Sequence, residues 1–351
     1  MTKPDYEKHL EELVAYCKTK KTSPMIADAR IWALSLMNLK WWQHHIDPAM
    51  ERHPYDVALE LVHEAKDTIV AWDDLAWAES AENKDFSLAR SETMEGMHED
   101  LFQDLWTEYD IKKYKEDRIP RYEKRIEIND IKSLIEDKKC IDFGCGHGNF
   151  AHAMLNAGAK KVLGLDFGEG SLKHAEGLRD ALGVSAEQIS FKSATVYESK
   201  EPSESFDFAV QNGVFHHLED EDKAYREVYR VLKPGGWFWV YTVGANAVIH
   251  TLFDGSRRIL EDIPNEYITD RLKSMNLSTG MYYQLGDSMI AVYRFATWDS
   301  LTERLSKLGF GNFRRCVGGF SGDFGHDVIA EHAFGKEKFG EGDLRLVCQK
   351  L

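Results

Sequence analysis

Two patterns of apolar and polar positions divide the chain near residue 125. In the first part, apolar residues recur at the three- and four-residue spacing of an amphipathic helix, as in Tyr6, Leu10 and Leu13. Later, short apolar runs alternate with helical patterns, which is typical of a parallel sheet with helices on both faces. The sequence therefore predicts an all-helical N-terminal domain, residues 1–125, and an α/β domain, residues 126–351.

The predicted α/β domain contains apolar runs of strand length and two connections that are longer than a simple crossover. These connections, residues 244–298 and 318–340, are interpreted as insertions, and long connections often carry binding residues. Residues 233–236, Lys-Pro-Gly-Gly, are predicted to form a turn before the fifth strand. The seven predicted strands are 139–143, 161–166, 189–192, 206–211, 237–243, 312–317 and 343–349.

The first predicted strand ends in three alternating glycines, Gly144, Gly146 and Gly148. Because glycine has no Cβ, the backbone can approach a ligand closely here, and the helix that follows begins with free N–H groups. Asp142 precedes the glycines, where a carboxylate can meet an ammonium group. Asp166 ends the next strand about 20 residues later, a position from which an acid binds ribose hydroxyls. The pattern predicts a site for a nucleoside that also carries a carboxylate and an amine.

Several motifs occur in an order that resembles one enzyme superfamily. The segment K-C-I-D-F-G-C-G-H-G-N-F, residues 139–150, looks like motif I of the class I S-adenosylmethionine (SAM)-dependent methyltransferases. F-D-F-A-V-Q-N-G-V-F-H-H-L, residues 206–218, is similar to the fourth strand of that family and its turn, and V-Y-R-V-L-K-P-G-G, residues 228–236, to the motif before strand five. Together they resemble the small-molecule "type 11" branch over residues 130–244. An NAD-dependent dehydrogenase would need a further glycine where Asn149 stands.

The resemblance implies a Rossmann-like, doubly wound, seven-stranded sheet with its last strand antiparallel, and SAM as the cofactor. Asp142 and the glycines would hold the methionine part of SAM, and Asp166 the ribose. Many family members have an Asp where this chain has Ala194, so backbone groups would edge the adenine here. The residues implied to contact SAM are Asp142, Gly144, Cys145, Gly146, Gly148, Asp166, Phe167, Ala194, Thr195, Gln211 and Asn212.

His216 and His217 follow the fourth predicted strand, close to where the methyl group of SAM is expected. Methyl transfer by in-line displacement requires alignment of the two reactants, and a base helps only if the acceptor arrives protonated. Either histidine is therefore a candidate general base, and His216 is the better candidate because it lies nearer the strand end. The alternative interpretation is a structural His-His-Leu turn, which is common in the family.

Charge and composition narrow the range of partners and the compartment. The net charge of −15 disfavours phosphate backbones and anionic membranes, so we expect neither a nucleic acid nor a membrane partner. No apolar run approaches the ~20 residues that cross a bilayer, and the N-terminus has no apolar signal core. The five scattered cysteines are typical of reduced thiols. We therefore expect a cytoplasmic protein with a small-molecule substrate.

Tryptophans concentrate in the helical region, at Trp32, Trp41, Trp42, Trp72 and Trp77. They are interpreted as packing residues, as a homodimer face, or as part of a substrate cap. No metal site is predicted: His63-Glu64 begins an H-E-x-x-H motif, but Asp67 stands in place of its second histidine. The residues considered as a cover over SAM are Trp106, Tyr109 and Tyr114.

The sequence thus predicts a SAM-dependent methyltransferase that acts on O, N or S of a small metabolite. Two alternatives stay open at this point. One is a protein methyltransferase whose tryptophan-rich helices bind the partner protein. The other is a non-catalytic SAM-binding scaffold or sensor, because intact cofactor residues say nothing about turnover.

Overall fold

A computed structural model describes residues 4–78 and 111–351 of the protein, and the predicted cover residues Trp106 and Tyr109 lie outside this part. Two compact units are built from interleaved segments of the chain. The described residues of the first unit come from Met1–Leu101, Asn246–Val292 and Ile329–Gly340. Those of the second come from Phe102–Ala245, Tyr293–Val328 and Glu341–Leu351. The predicted division at residue 125 stays a prediction.

Helices and strands are numbered below in chain order. Short helical turns occur at Ile111–Lys113, Lys132–Ile135 and, with 3₁₀ geometry, Phe215–His217. The helices are α1 Asp5–Lys18, α2 Pro24–Ile46, α3 Pro54–Ala78, α4 Ile119–Ile128, α5 Asn149–Asn156, α6 Glu169–Ala181, α7 Glu221–Val231, α8 Val248–Ile259, α9 Asn265–Ser274, α10 Thr279–Met289, α11 Trp298–Lys307, α12 His326–Glu331 and α13 Gly335–Phe339. The strands are β1 Lys139–Phe143, β2 Lys161–Asp166, β3 Ile189–Ser193, β4 Phe206–Asn212, β5 Leu232–Val243, β6 Phe310–Cys316 and β7 Asp343–Lys350.

The first unit packs α1, α2 and α3 with the helices of the long connection after β5. Helix α2 begins as its sequence indicates, because the Ser23 hydroxyl accepts a hydrogen bond from the N–H of Ile26 (3.4 Å) and proline follows at the first helical position. α8 packs closely on α1: a Cβ on Gly255 would lie 2.5 Å from Leu10. Residues 246–292 therefore share a core with the N-terminal helices.

The second unit is a seven-stranded sheet in the order β3-β2-β1-β4-β5-β7-β6. The first five strands are parallel, and β7 pairs antiparallel with both β5 and β6. The predicted Rossmann-like sheet with an antiparallel last strand is confirmed. Helices on both sides bury its two faces, around Phe215 and Val228 on one and around Phe150 and Met154 on the other.

Three local predictions differ from the structure. The predicted turn 233–236 is part of β5, where it forms an irregularity between two ladder pairs with β4. The sequence also predicts a helix over residues 122–135, but the helix is broken at Asp130, which has a left-handed φ of +50°. Helix α10 was not predicted, because its aromatic residues show no clear helical period. Over the described part of the chain, no helix has the length and apolar character needed to cross a membrane.

Candidate functional site

The predicted cofactor residues of β1, β2 and β4 meet at one edge of the sheet. In the parallel ladders, Phe143 pairs with Leu165 on one side and with Gln211 on the other. The segments that follow β1, β2 and β4 therefore leave the sheet side by side. β1 is also where the order of strands reverses, and the crevice beyond such a point is the usual ligand site of an open α/β sheet.

The three glycines of the loop after β1 serve different purposes. All three have a left-handed φ, between +50° and +75°. A Cβ on Gly144 would lie 2.6 Å from the Val214 side chain, and one on Gly148 would lie 2.6 Å from Phe191. Around Gly146, by contrast, nothing lies within 4 Å of that position. The outer glycines are therefore required by packing within the protein, and Gly146 opens onto free space.

Asp166, at the end of β2, ties the glycine loop to the loop that follows it. Its Oδ2 accepts the N–H of Gly146 (2.8 Å), and its Oδ1 accepts the N–H of Gly168 (3.0 Å). Burial raises the pKa of Asp166, and these amide hydrogen bonds oppose that effect. The carboxylate is thus fixed next to the one glycine that opens onto space.

Asp142 is buried in β1, with 2% of its surface exposed. Burial, and then the nearby charge of Asp166, raise the pKa of Asp142 to about 8. A cation placed beside it would reverse this effect, because an opposite charge favours the ionised carboxylate. Cys145, the next predicted contact, has a buried thiol whose pKa is raised by burial.

The residues predicted near the nucleoside lie on loops after β2 and β3. The N–H of Ala194 donates to the backbone oxygen of Asp166 (3.0 Å), so the two loops are joined at this point. Thr195 is exposed and its backbone oxygen accepts the N–H of Glu198 (3.2 Å). Phe167 is 42% exposed, an unusual fraction for a large apolar ring.

Gln211 and Asn212, at the end of β4, are both engaged with the protein. Gln211 is fully buried, and its Oε1 accepts the N–H groups of Val214 and Phe215 (3.2 and 3.3 Å). Asn212 Oδ1 accepts the indole N–H of Trp239 (3.2 Å). The Gln211 side chain thus shapes the turn after β4, and its predicted place beside the sulfonium stays a prediction.

His216 and His217 lie in the 3₁₀ turn after β4, and both are buried. His216 Nδ1 lies 3.4 Å from Thr242 Oγ1 of β5. A Cβ on Gly213 would lie 3.9 Å from His216 Cε1, so this ring borders the strand end. The sequence did not reveal Thr242 as a neighbour, because only the pairing of β4 with β5 brings it there.

Tyr114 contacts the glycine loop from a π-helical turn, Tyr114–Arg118. Its hydroxyl lies 2.6 Å from Nδ1 of His147, the residue between Gly146 and Gly148. The ring of His147 also stacks on His174 of α6, with 4.3 Å between centroids. Tyr114 therefore supports the loop that was predicted to hold SAM, and its predicted role as a cover over SAM stays a prediction.

A family model described as a methyltransferase domain, of type 11, matches residues 141–240. This match runs from within β1 to within β5 and includes the loops after β1, β2, β3 and β4. The chain carries a methyltransferase domain of the class I SAM-dependent superfamily.

Curated relatives share this part of the chain. Ubiquinone biosynthesis O-methyltransferase of Pseudomonas putida (strain GB-1) is 31% identical over 142 residues, 40% of this chain and 60% of the relative. The enzyme of that name from Thiobacillus denitrificans is 33% identical over 143 residues, with the same coverage. Sterol 24-C-methyltransferase of Aspergillus fumigatus is 34% identical over 108 residues, 30% of this chain and 28% of the relative. The chain thus spans 60% of the length of the ubiquinone enzymes that it matches.

Solved structures are similar at a lower level. One is 1,6-didemethyltoxoflavin-N1-methyltransferase of Burkholderia thailandensis, with 16% identity, a TM-score of 0.43, and coverage of 75% of this chain and 92% of that one. The fold assignment rests on the strand order and on the register of the sheet.

Proposed function

We propose that the protein transfers a methyl group from SAM to an oxygen, nitrogen or sulfur atom of a small-molecule metabolite. SAM supplies an electrophilic methyl group on its sulfonium. The residues of the second unit would bind SAM, orient it and exclude water from the reacting atoms, which are the main tasks of a catalyst for in-line displacement.

The observation that carries the proposal is the open backbone at Gly146, flanked by two acids at the point where the strand order reverses. Asp142 would pair with the ammonium of SAM, because a positive charge beside a buried carboxyl group favours its ionised form. Asp166 would accept the ribose hydroxyls while it keeps the Gly146 N–H in place. Backbone groups at Ala194 and Thr195 would lie along the edge of the adenine ring.

His216 is proposed as the base for an acceptor that arrives protonated. Its ring borders the strand end at Gly213 and lies within reach of the Thr242 hydroxyl, which can orient the imidazole. His217 is the second candidate. For an acceptor that arrives as an anion, a thiolate or a free amine, neither histidine is needed.

A small-molecule substrate is supported by the names of the relatives, which refer to ubiquinone biosynthesis and to sterols. Those names cover O- and C-methylation, so the acceptor atom has to be tested directly. The net charge of −15 also favours neutral or cationic acceptors over nucleic acid.

Cofactor binding is tested first, by calorimetry with S-adenosylhomocysteine (SAH) and, in parallel, with NAD. We expect SAH to bind and NAD to give no heat. Asp166→Ala should weaken SAH binding about tenfold or more, since it removes two hydroxyl contacts and loosens the loop. Asp207→Asn is the control: Asp207 accepts from Lys139 N–H (3.0 Å) at the opposite edge of the sheet, so SAH affinity should not change. Absence of SAH binding would exclude the proposal.

Turnover is tested with methyl-labelled SAM against panels of phenols, amines and thiols, and against protein extracts in a separate arm. We expect label in a small molecule. Label only in protein would favour a protein methyltransferase, and SAH binding without transfer to any panel would favour the non-catalytic scaffold.

A further inference from the structure

The last residues of the predicted insertion 244–298, which belong to the second unit, lie against the turn that carries the two histidines. Ala296 forms a single parallel β-bridge with Gly244, the residue that follows β5. The N–H of Ala296 donates to Val243 (3.2 Å), and the backbone oxygen of Ala296 accepts the N–H of Ala245 (2.8 Å). Backbone hydrogen bonds thus attach Ala296 to the end of β5 and to the residue after Gly244.

Arg294 binds three backbone oxygens of the histidine turn. Its own N–H donates to the oxygen of His216 (2.8 Å), its Nε to that of Leu218 (2.6 Å) and its Nη2 to that of Glu219 (2.8 Å). Carbonyl groups at the end of a helical turn have no partner within the turn and carry partial negative charge. A guanidinium can satisfy two of them at once because its donors form a rigid fork.

Tyr293 contacts both imidazole rings of the turn. Its ring stacks on that of His216, with 5.4 Å between centroids and 15° between planes. It lies 4.5 Å from the ring of His217, tilted by 56°. Arg294 therefore binds the backbone of the turn, and its neighbour Tyr293 contacts the two histidine side chains.

A second side chain, that of Gln211, stabilises the start of the turn. Gln211 accepts the N–H groups of Val214 and Phe215, which precede the histidines. The oxygens at the far end of the turn are held by Arg294. Loss of the Arg294 side chain would leave the start of the turn fixed and would release the oxygens of Leu218 and Glu219, whereas the backbone N–H of residue 294 would still bind the His216 oxygen.

We propose that Tyr293 and Arg294 are positioning residues, which hold the imidazoles of His216 and His217 at the cofactor edge of the sheet. The consequence for methyl transfer rests on the proposed function, whereas the positioning itself does not. The pair lies near the end of the predicted insertion 244–298, so the candidate base would be positioned by the end of that insertion as well as by β4.

The test uses proton NMR of the full-length protein, with the histidine Hε1 signals assigned through His216→Gln and His217→Gln. In the native protein, the Tyr293 ring should displace both signals upfield. Arg294→Ala should move both signals toward the values of exposed histidines and make the amides of residues 213–220 exchange about tenfold faster. Arg294→Lys keeps the charge but loses the fork, so it should resemble Arg294→Ala.

Arg226→Ala is the matched control, because Arg226 lies 3.9 Å from Asp220, the next residue after the clamped oxygens, and forms an exposed ion pair. It should leave the histidine signals unchanged. A second pair of variants addresses the ring: Tyr293→Phe should keep the upfield signals, and Tyr293→Leu should lose them. These two variants also test the proposal if Arg294→Ala does not fold.

Unchanged histidine signals in both Arg294→Lys and Tyr293→Leu would overturn the proposal. SAH affinity is measured for each variant separately, and we expect it to change less than threefold, since the contacts described above hold the turn after β4. If the native protein does not bind SAH, the proposed function fails, yet the histidine signals still decide whether Tyr293 and Arg294 position the turn.

Discussion

Burial gives Asp142 a protonation state that a surface aspartate would not have. Because the pKa of Asp142 is raised to about 8, the residue is mostly protonated at pH 7 in the protein without ligand. Pairing with the ammonium of SAH requires the carboxylate. If Asp142 binds the ammonium as proposed, the ligand must displace the proton of this carboxyl group.

We predict that SAH binding at pH 7 releases close to one proton. Calorimetry in buffers of different ionisation enthalpy measures this number directly. Asp142→Asn should bind SAH at least tenfold more weakly and release no proton from this position. Equal proton release by the native protein and by Asp142→Asn would assign the proton to another group.

The same carboxyl also affects stability. A group whose pKa is raised by folding stabilises the protein fully below its unfolded pKa of ~3.9, and this contribution is lost as the pH rises to about 8. Asp142→Asn, which cannot ionise, should therefore unfold at a higher temperature than the native protein at pH 8.5 without ligand. At pH 4, close to the unfolded pKa, the two should differ little, and thermal unfolding at both pH values checks the sign.

At the scale of elements, the glycines of the loop after β1 differ in how much space the fold leaves for a side chain. Alanine at Gly146 or Gly148 adopts a left-handed backbone at a cost of ~1–2 kcal/mol. Only at Gly148 does the added Cβ also approach Phe191, at 2.6 Å. Alanine at Gly148 should therefore mainly impair folding, and alanine at Gly146 should mainly impair ligand binding.

We predict that Gly148→Ala destabilises the protein more than Gly146→Ala, and that Gly146→Ala has the larger effect on SAH affinity relative to its effect on stability. Chemical denaturation and calorimetry on the same samples measure both quantities. Phe191→Leu should recover part of the stability of Gly148→Ala, because it removes the ring that the Cβ meets. No recovery would mean that backbone strain alone accounts for the loss.

The local sequence was sufficient to predict those parts of the candidate site that are formed by residues close together in the chain. The loop at Gly144 and the acid at Asp166 follow from strand, turn and helix signals within about 30 residues. Arg294 and Tyr293 were not predicted as neighbours of the histidine turn. They lie near the far end of the insertion, and only the folded chain brings them to the turn. The state of Asp142 was also not predicted, since it depends on burial by the whole sheet.

At the scale of the whole molecule, the two units cannot be separated by one cut. The first unit includes residues 246–292 and 329–340 as well as the N-terminal helices. Asn38 Nδ2 donates to Ser256 Oγ (3.0 Å), and Lys338 Nζ donates to the backbone oxygen of Asp47 (2.6 Å). Removal of the N-terminal helices alone would leave these segments attached to the second unit with their apolar faces exposed.

We predict that a chain of residues 102–351 aggregates, because α8 loses the partners that bury Leu252 and Ile259. A matched chain, in which short glycine-serine linkers also replace residues 246–292 and 329–340, should be monomeric by gel filtration and should bind SAH. The first linker has little distance to span, since the N–H of Ala245 donates to Ala296 (2.8 Å) within the second unit. If both chains aggregate, the sheet depends on the helical unit for its own folding. If both bind SAH as monomers, the three segments of the first unit do not need one another, and the shared core of α1 and α8 contributes little to stability.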